Sequence, residues 1–460
     1  MRMWMRGMAV GLAVTLAGLP ARAETLTDAL ISAYKNSNLL DQNEAVLRAA
    51  DEDYAIAVSA LRPVISYVVD FGNSVTRSSG IEVRGLSNSL SLSADLVLFD
   101  FGRTEASIVI AKESVLATRQ ALIQVEQEVL LSAVQSYVSV KLAQEIVALR
   151  QSNVRLITQE LRAAQDRFDV GEITKTDVSI AEAALAAARS NLAAAEGDLL
   201  VARESYKAAV GHYPGRLAAL PASPKIGKSL DEARSYAVKA HPAVKQAQHQ
   251  VLASEAQVAL AEANMKPTIG LGATITSRNY GESLGQSDSL SGNLGLQLNQ
   301  TIYAGGKLSA YFRKALAGKE SARAGLRQTV VQIEQNIGNA WANLSVYVAS
   351  IEATQRQITA AQAAFDGVRE EATLGARTTL DVLDAEQDLL DARASRLQAE
   401  ANRYVAVYQV LAAMGLLTAE HLKLGIPTYD PEAYFNAVKS APATSSRGRK
   451  LDEILGKIGK

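Results

Sequence analysis

Residue i of this chain resembles residue i+204, without gaps, from Leu26 onward. Leu26 and Ala29 fall on Leu230 and Ala233, Pro63 on Pro267, and Ile65 on Ile269. Phe99 and Gly102 fall on Tyr303 and Gly306, Gly171 on Gly375, Asp177-Val178 on Asp381-Val382, and Gly211 on Gly415. Such a duplication means two copies of one structural unit, so the unit must be understood first. The copies are expected over residues 24–229 and 230–428, with residues 429–460 as a C-terminal tail. Positions where the copies differ are the natural places to look for function.

Residues 1–23 stand outside the repeat. Arg2 and Arg6 form a basic start, an apolar run follows from Met8 to Leu19, and Ala21-Arg22-Ala23 is a small-residue cleavage site. This is the pattern of a secretory signal peptide. Its apolar run is too short to span a bilayer as a helix. Cleavage takes the net charge from −1 to −4, because three arginines leave and no acid does. So mild a charge argues against nucleic acid as a partner. The chain has no cysteine, which excludes thiol catalysis and cysteine metal sites. After residue 23 no stretch approaches the roughly 18 consecutive apolar residues of a spanning helix. Entry into a membrane would require a β-barrel.

Each unit should run helix, two strands, long helix, turn, helix. Residues 103–170 contain neither glycine nor proline. As one helix they would extend about 100 Å, a length that indicates a coiled coil. The apolar stripe of its lower part is Val154, Ile157, Leu161, Ala164 and Phe168. The second copy, 307–374, carries Gly318, Gly325, Gly338 and Gly367, each costing about 1 kcal/mol against alanine. Gly171 and Gly375 end the long helices. Returning helices are expected over 174–211 and 378–415, opened by Thr174-x-x-Asp177 and Thr378-x-x-Asp381, a capping-box pattern. The first has a clear heptad: Val178, Ala181, Leu185, Ala188, Leu192, Ala195, Leu199, Ala202, Tyr206. The second reads Leu380, Leu383, Gln387, Leu390, Ala394, Leu397, Ala401, Tyr404, Tyr408, Leu411. One helix near Leu26 to Leu61 supplies the remaining length.

Between Pro63 and Gly102 the period changes to two. Strands are expected at about 64–76, 87–99, 268–279 and 290–303. Ile65, Tyr67, Val69 and Phe71 share one face; Leu90, Leu92, Ala94, Leu96 and Leu98 share another, with polar residues between. An aliphatic face against a polar one over about ten residues is the pattern of a transmembrane barrel. Four strands cannot close, and an open edge cannot sit in lipid. Two chains would give eight strands, an interior about filled by side chains; three give twelve and a lumen. The expected fold is therefore an α+β membrane protein. Closure predicts a homotrimer sharing a twelve-stranded barrel, four strands per chain, once the strands enter lipid.

The copies disagree beside Gly375. Capping accounts for both Asp177 and Asp381, but Asp384 has Ile180 as its counterpart. It lies three residues from Asp381, on the same helix face. In a trimer Asp381 and Asp384 give two rings of carboxylates, which is how cation-selective constrictions are built. Arg377 stands where the first copy has Ile173. Four residues before Asp381 is the poorer order for a local pair, so a partner on a neighbouring hairpin, such as Asp177, is equally available. A solvated helix end explains both residues as well as a gate does on these facts.

Catalytic patterns are weak. Gly281-Glu-Ser-Leu-Gly285 has the spacing of a nucleophile elbow but lies in a polar loop between strands, not at a strand-to-helix turn. His212, His241, His249 and His421 lack metal-ligand spacing and read as surface or packing residues. Trp341 reads as packing. The basic tail, with Arg447, Arg449, Lys450, Lys457 and Lys460, reads as a solvated, partly disordered end. No cofactor is implied.

To about Tyr429 the chain resembles the TolC family of outer membrane efflux proteins. The motifs are Arg167-Phe-Asp-Val-Gly-Glu-Ile-Thr-Lys-Thr-Asp-Val178, Leu374-Gly-Ala-Arg-Thr-Thr-Leu-Asp-Val-Leu-Asp-Ala385 and Ile302-Tyr-Ala-Gly-Gly306. The resemblance implies a trimeric twelve-stranded outer-membrane β-barrel continuous with a long α-helical coiled-coil tunnel, in the outer membrane and periplasm of a Gram-negative bacterium. It also implies a periplasmic adaptor and an inner-membrane pump or ABC transporter as partners, in efflux or type I secretion. On it, Asp381 and Asp384 match acidic rings at the periplasmic mouth. Arg377 matches an arginine that ties neighbouring coils, with Thr176 and Asp177 as its partners. The turn tips at Gly171 and Gly375 match the adaptor contact, and Gly102, Gly305 and Gly306 the strand-to-helix swivel. Ala372 stands where the family's best-known member has a tyrosine bonded to the counterpart of Asp177, and Thr301 stands for the usual proline. A trimeric adhesive coiled coil, with the strands as soluble caps, and a periplasmic hydrolase using Ser283 are the competing readings.

Overall fold

The structure, a computed structural model, describes residues 23–78, 81–227, 229–280, 288–441 and 453. The signal-peptide pattern up to Arg22, the Gly281–Gly285 motif and the tail's basic residues lie outside these. In chain order the elements are α1 (Leu26–Lys35), α2 (Asn38–Ser59), β1 (Val64–Ser78), β2 (Ile81–Phe99), α3 (Arg103–Asp169) and α4 (Lys175–Val210). Then come α5 (Leu230–Ala240), α6 (Pro242–Ala263), β3 (Thr268–Tyr280), β4 (Ser289–Asn299), α7 (Lys307–Thr373), α8 (Thr379–Ala413) and α9 (Pro431–Val438).

The single helix expected before each strand pair is two helices. In the first copy the chain breaks at Ser37, whose hydroxyl accepts from the Leu40 amide and caps α2. The second copy breaks at the repeat-related His241, whose Nδ1 accepts from the Ala243 amide ahead of Pro242 at the first helical position. Both are local N-terminal signals that outweigh the continuous apolar pattern. Strand β2 begins at Ile81, earlier than expected, because Ile81–Arg84 pair in register with Val75–Ser78. Strand β4 stops at Asn299, so Ile302 and Tyr303 lie beyond the sheet and are exposed.

The chain forms two compact units. One comprises Ala133–Ser223, Thr354–Ala401 and the N-terminal segment to Ala33. Here α3 and α4 form one antiparallel hairpin and α7 and α8 another. The α4 seam is the expected heptad: Ala181, Leu185, Ala188, Ala195, Ala202 and Tyr206 are all buried. Tyr137 is fully buried and donates to the carbonyls of Glu24 and Ala218 at 3.0 Å each, pinning the chain's start to the α3 wall. Helix α8 buries more than its expected stripe: Val382, Glu386, Leu389, Ala392 and Ala399 make a second one. A helix with two buried stripes packs against two neighbours.

The other unit comprises Tyr34–Ser132, Pro224–Ala353 and the chain from Asn402. It contains a four-stranded antiparallel meander, β1-β2-β3-β4. Register aligns Ile65, Ala94, Ala273 and Leu294 across the sheet, and Tyr67, Leu92 and Ile275 in a parallel row. Between them Ser66, Ser93, Thr274 and Asn293 form a polar row. Ser66 bonds Ser93 at 2.7 Å and Ser91 bonds Thr276 at 3.0 Å. The aliphatic rows have no covering layer: Tyr67 is 74% exposed, Leu290 78% and Leu294 72%. In the same unit Ala233 and Ala237 of α5, Val244 of α6, Ile333 and Ile337 of α7, Val410 of α8 and the following Met414 share a core. Part of the tail is folded rather than solvated: α9 lays Tyr434 and Val438 against Ala55 of α2.

Candidate functional site

Both hairpin turns are built by the same local chemistry. Gly171 and Gly375 have φ of +81° and +77°, the left-handed geometry that ends a helix without steric cost in glycine. The amides of Gly171 and Glu172 donate to the carbonyls of Phe168 and Arg167, and those of Gly375 and Ala376 to Ala372 and Glu371. Each following helix opens with a reciprocal cap. The Thr174 amide and hydroxyl donate to Asp177 Oδ2 at 2.9 and 2.7 Å, and those of Thr378 donate to Asp381 Oδ2 at 2.9 and 2.8 Å. These bonds favour the charged carboxylates. The Thr174 hydroxyl, then its amide, holds Asp177 below the usual carboxylate range, and the Thr378 amide, then its hydroxyl, does the same for Asp381.

The private residues of the second turn lie outside this capping. Asp384 is exposed, one turn beyond the capping Asp381, while its counterpart Ile180 is partly buried. Arg377 is exposed and its Nε donates to Glu371 Oε2 at 2.8 Å, inside its own turn. The first turn carries the opposite arrangement: Arg167 on the long helix pairs with Glu172 in the turn at 3.2 Å. Glu371 is the repeat counterpart of Arg167, so a charge reversal at one position accompanies the arginine at 377. That covariation between copies was visible in the sequence. Thr176 is exposed on the first turn of α4. Ala372 is buried among Phe365, Val382, Leu389 and Leu156, an apolar contact.

At the other end of the long helices, Gly102, Gly305 and Gly306 have φ of +92°, +60° and +81°. They turn the chain from strand to helix, and Asp100 caps α3 by accepting from the Thr104 amide at 2.7 Å.

One constellation escaped the sequence reading. Glu386 of α8 is buried, and its Oε1 accepts from Asn153 Nδ2 of α3 at 2.6 Å. Its Oε2 has no hydrogen-bond partner. Nearby, Arg369 of α7 pairs with Glu160 of α3 at 3.4 Å. Burial, reinforced by Glu160 and opposed by the Asn153 bond and Arg369, pushes the Glu386 carboxyl up to about 7.

Among the described residues no cluster of histidines and carboxylates has the geometry of a metal site, and no helix is long and apolar enough to cross a membrane. His249 sits against Glu113 at 2.7 Å, and His241 caps a helix.

The sequence model of the family "Outer membrane efflux protein" matches residues 30–212 and again 234–416, a separation of 204 at both ends. The chain is 36% identical over 424 residues to outer membrane efflux protein BepC of Brucella suis, covering 92% of each. It is 25% identical over 435 residues to outer membrane protein TolC of Escherichia coli, covering 90% of this chain and 86% of that one. Its fold matches the CmeC outer membrane channel of Campylobacter jejuni with a TM-score of 0.76 at 15% identity, covering 91% of this chain and 90% of that one. The chain belongs to the outer membrane efflux protein family. It is therefore a channel of the Gram-negative outer membrane and not an enzyme. In this family three chains give four strands each to a barrel, and the channel works with periplasmic adaptors and inner-membrane pumps or ABC transporters.

Proposed function

We propose that this chain is the exit duct of an efflux or type I secretion system. Its periplasmic mouth is set by Asp381 and Asp384 and tied by Arg377. The uncovered aliphatic face of a sheet with two open edges supports the reading most directly. Lipid covers the face, and neighbouring copies pair with β1 and β4. The polar rows of serine, threonine and asparagine then line water. At the mouth, three copies of the second turn bring six carboxylates around one axis. Asp381 is held charged by its cap, and Asp384 is committed to nothing in capping. Arg377, beyond its pair with Glu371, ties its turn to Thr176 and Asp177 of the adjoining hairpin. The tips at Gly171 and Gly375 are the adaptor contact, and Gly102, Gly305 and Gly306 are the swivel. BepC is named for efflux, and the 24%-identical AprF of Pseudomonas aeruginosa for alkaline protease secretion, so relatives of both kinds support the pairing of efflux with secretion.

Single-channel recording in planar bilayers tests the rings. Asp381→Ala combined with Asp384→Ala is expected to abolish cation preference and block by multivalent cations, since a ring of fixed charge sets selectivity at a constriction. Unchanged selectivity would remove the rings from the mouth. Arg377→Ser is expected to raise conductance severalfold, because Ala372 provides no second polar tie. Conductance equal to the parent's would mean that apolar contacts alone hold the mouth closed.

A further inference from the structure

Between the two hairpins of one protomer apolar contacts surround one buried polar pair, and the Arg369–Glu160 ion pair crosses nearby. Leu383 of α8 packs with Ile157 of α3 and Leu185 and Ala188 of α4. Leu156 of α3 packs into the cluster of Phe365, Val382 and Leu389. Between these contacts lies Glu386, only 4% exposed, with Asn153 facing it across the seam at 2.6 Å. The repeat counterpart of Glu386 is Glu182, which is exposed, so the burial belongs to the second hairpin alone.

We propose that Glu386 and Asn153 form a proton-operated latch between the two hairpins, closed while the Glu386 carboxyl is protonated and released when it ionises. The proposal rests on the duct reading only for what release does to conductance.

The argument is one of unequal solvation. A neutral carboxyl can stay in the seam with one hydrogen bond. A carboxylate there needs either a cation or several donors, and it has one amide. Two other charged groups reach it. Glu160, from α3, repels the ionised form. Arg369, from α7, attracts it but is engaged by Glu160 at 3.4 Å. The facing residues of α4, Leu185 and Ala188, are apolar. Ionised, Glu386 is best satisfied by water, which it reaches only if α8 moves away from α3.

The sign follows from linkage. Burial raises the carboxyl in the closed seam above its value in the opened one, so the closed form holds the proton more tightly. Closure is favoured on the acid side, and opening is favoured as pH rises through neutrality. Each Glu386 changes the open-to-closed ratio by up to about tenfold per pH unit there.

The chain has no native cysteine, so the movement can be read with spin labels. Labels at Gln151→Cys on α3 and Asp388→Cys on α8, both exposed positions, report the inter-hairpin distance in detergent between pH 5.5 and 8.5. The distance is expected to lengthen as pH rises, and to stay short at all pH in Glu386→Gln. Asn153→Ala removes the partner that holds Glu386 in the closed seam, so it should move the transition to lower pH. A parent distance that ignores pH, or a pH response that survives Glu386→Gln, overturns the latch. In bilayers the conductance should rise over the same pH range in the parent and stay flat in Glu386→Gln. The ring variants are scored on selectivity, so failure of the duct reading would be seen separately from failure of the latch.

Discussion

Gly415→Ala is expected to destabilise the folded chain by about 3 kcal/mol, the sum of a left-handed backbone cost and an overpacking cost. Gly415 ends α8 with φ at +77°; its amide donates to the Ala412 carbonyl, and the Leu416 amide donates to Leu411. A β-carbon there would lie 2.8 Å from Pro242 Cδ, 3.1 Å from His241 Cα and 3.2 Å from His241 Cδ2. None of these atoms can retreat cheaply. The proline ring is fixed at the first position of α6, and His241 is buried as its cap. Gly375 is the comparison, because its φ is the same and a β-carbon there meets nothing of its own chain within 4 Å. Gly375→Ala should cost about 1 kcal/mol, the backbone term alone. Denaturant unfolding of the two detergent-solubilised variants separates the terms. Equal losses would show that α6 yields to the added methyl.

Why Gly415 could be found from the repeat, and its neighbour could not, shows where the sequence was legible. The offset of 204 pairs Gly415 with Gly211, and a glycine kept at a helix end in both copies announces a left-handed turn. That Pro242 lies under one of them is a tertiary fact with no local signal. The same division holds elsewhere. Helix lengths, turn glycines, capping threonines and the α4 heptad are local, and their positions followed from spacing. The break at His241 has a weak local signal, because a histidine cap is rare, and Pro242 at the first helical position is its one strong cue. The second buried stripe of α8 is hidden in the sequence because Glu386 lies in it. A charged residue in a stripe reads as its solvent face, and only packing against two neighbours makes the stripe an interior. At the turn, Arg377 and Asp384 were found as departures from the repeat. The charge exchange between Arg167 and Glu371 was the same kind of departure, six residues earlier, inside a helix otherwise taken as a uniform wall.

The tail produces the second large expected effect. Asp51 of α2 and Arg119 of α3 are the repeat counterparts of Glu255 and Arg323, which form an exposed ion pair at 2.5 Å. In the first copy α9 covers the pair. Arg119 turns to the tail: Nη2 donates to the Pro431 carbonyl at 3.2 Å, and the guanidinium lies over the Phe435 ring at 5.2 Å. Tyr434 donates to Glu52 at 2.8 Å, and the Arg62 guanidinium donates to the carbonyls of Ser440 and Ala441. Asp51 is left fully buried with neither carboxylate oxygen hydrogen-bonded. Burial raises it to about 6, against the pull of Arg119 and with a smaller push from Glu52.

A folded-state value above the unfolded one means that the folded chain binds the proton more tightly. The associated stability is present in full below the unfolded value near 3.8 and is lost as pH rises through about 6. At pH 8 the ionised Asp51 therefore costs about 2–3 kcal/mol. Asp51→Asn keeps the shape of the protonated acid and cannot ionise. It should stabilise the protein by about that amount at pH 8 and change it little at pH 4. Glu255→Gln, at the exposed repeat position, should stay within about 0.5 kcal/mol at both pH values, as exposed pairs do. Unfolding midpoints of the detergent-solubilised protein at the two pH values decide the matter. Loss of stability in Asp51→Asn at pH 8 would mean that the carboxylate is held by partners and that the α9 strap was built around a charge. The expected gain means that the strap was laid over an ion pair inherited from the duplication, taking the arginine for itself and leaving the acid behind.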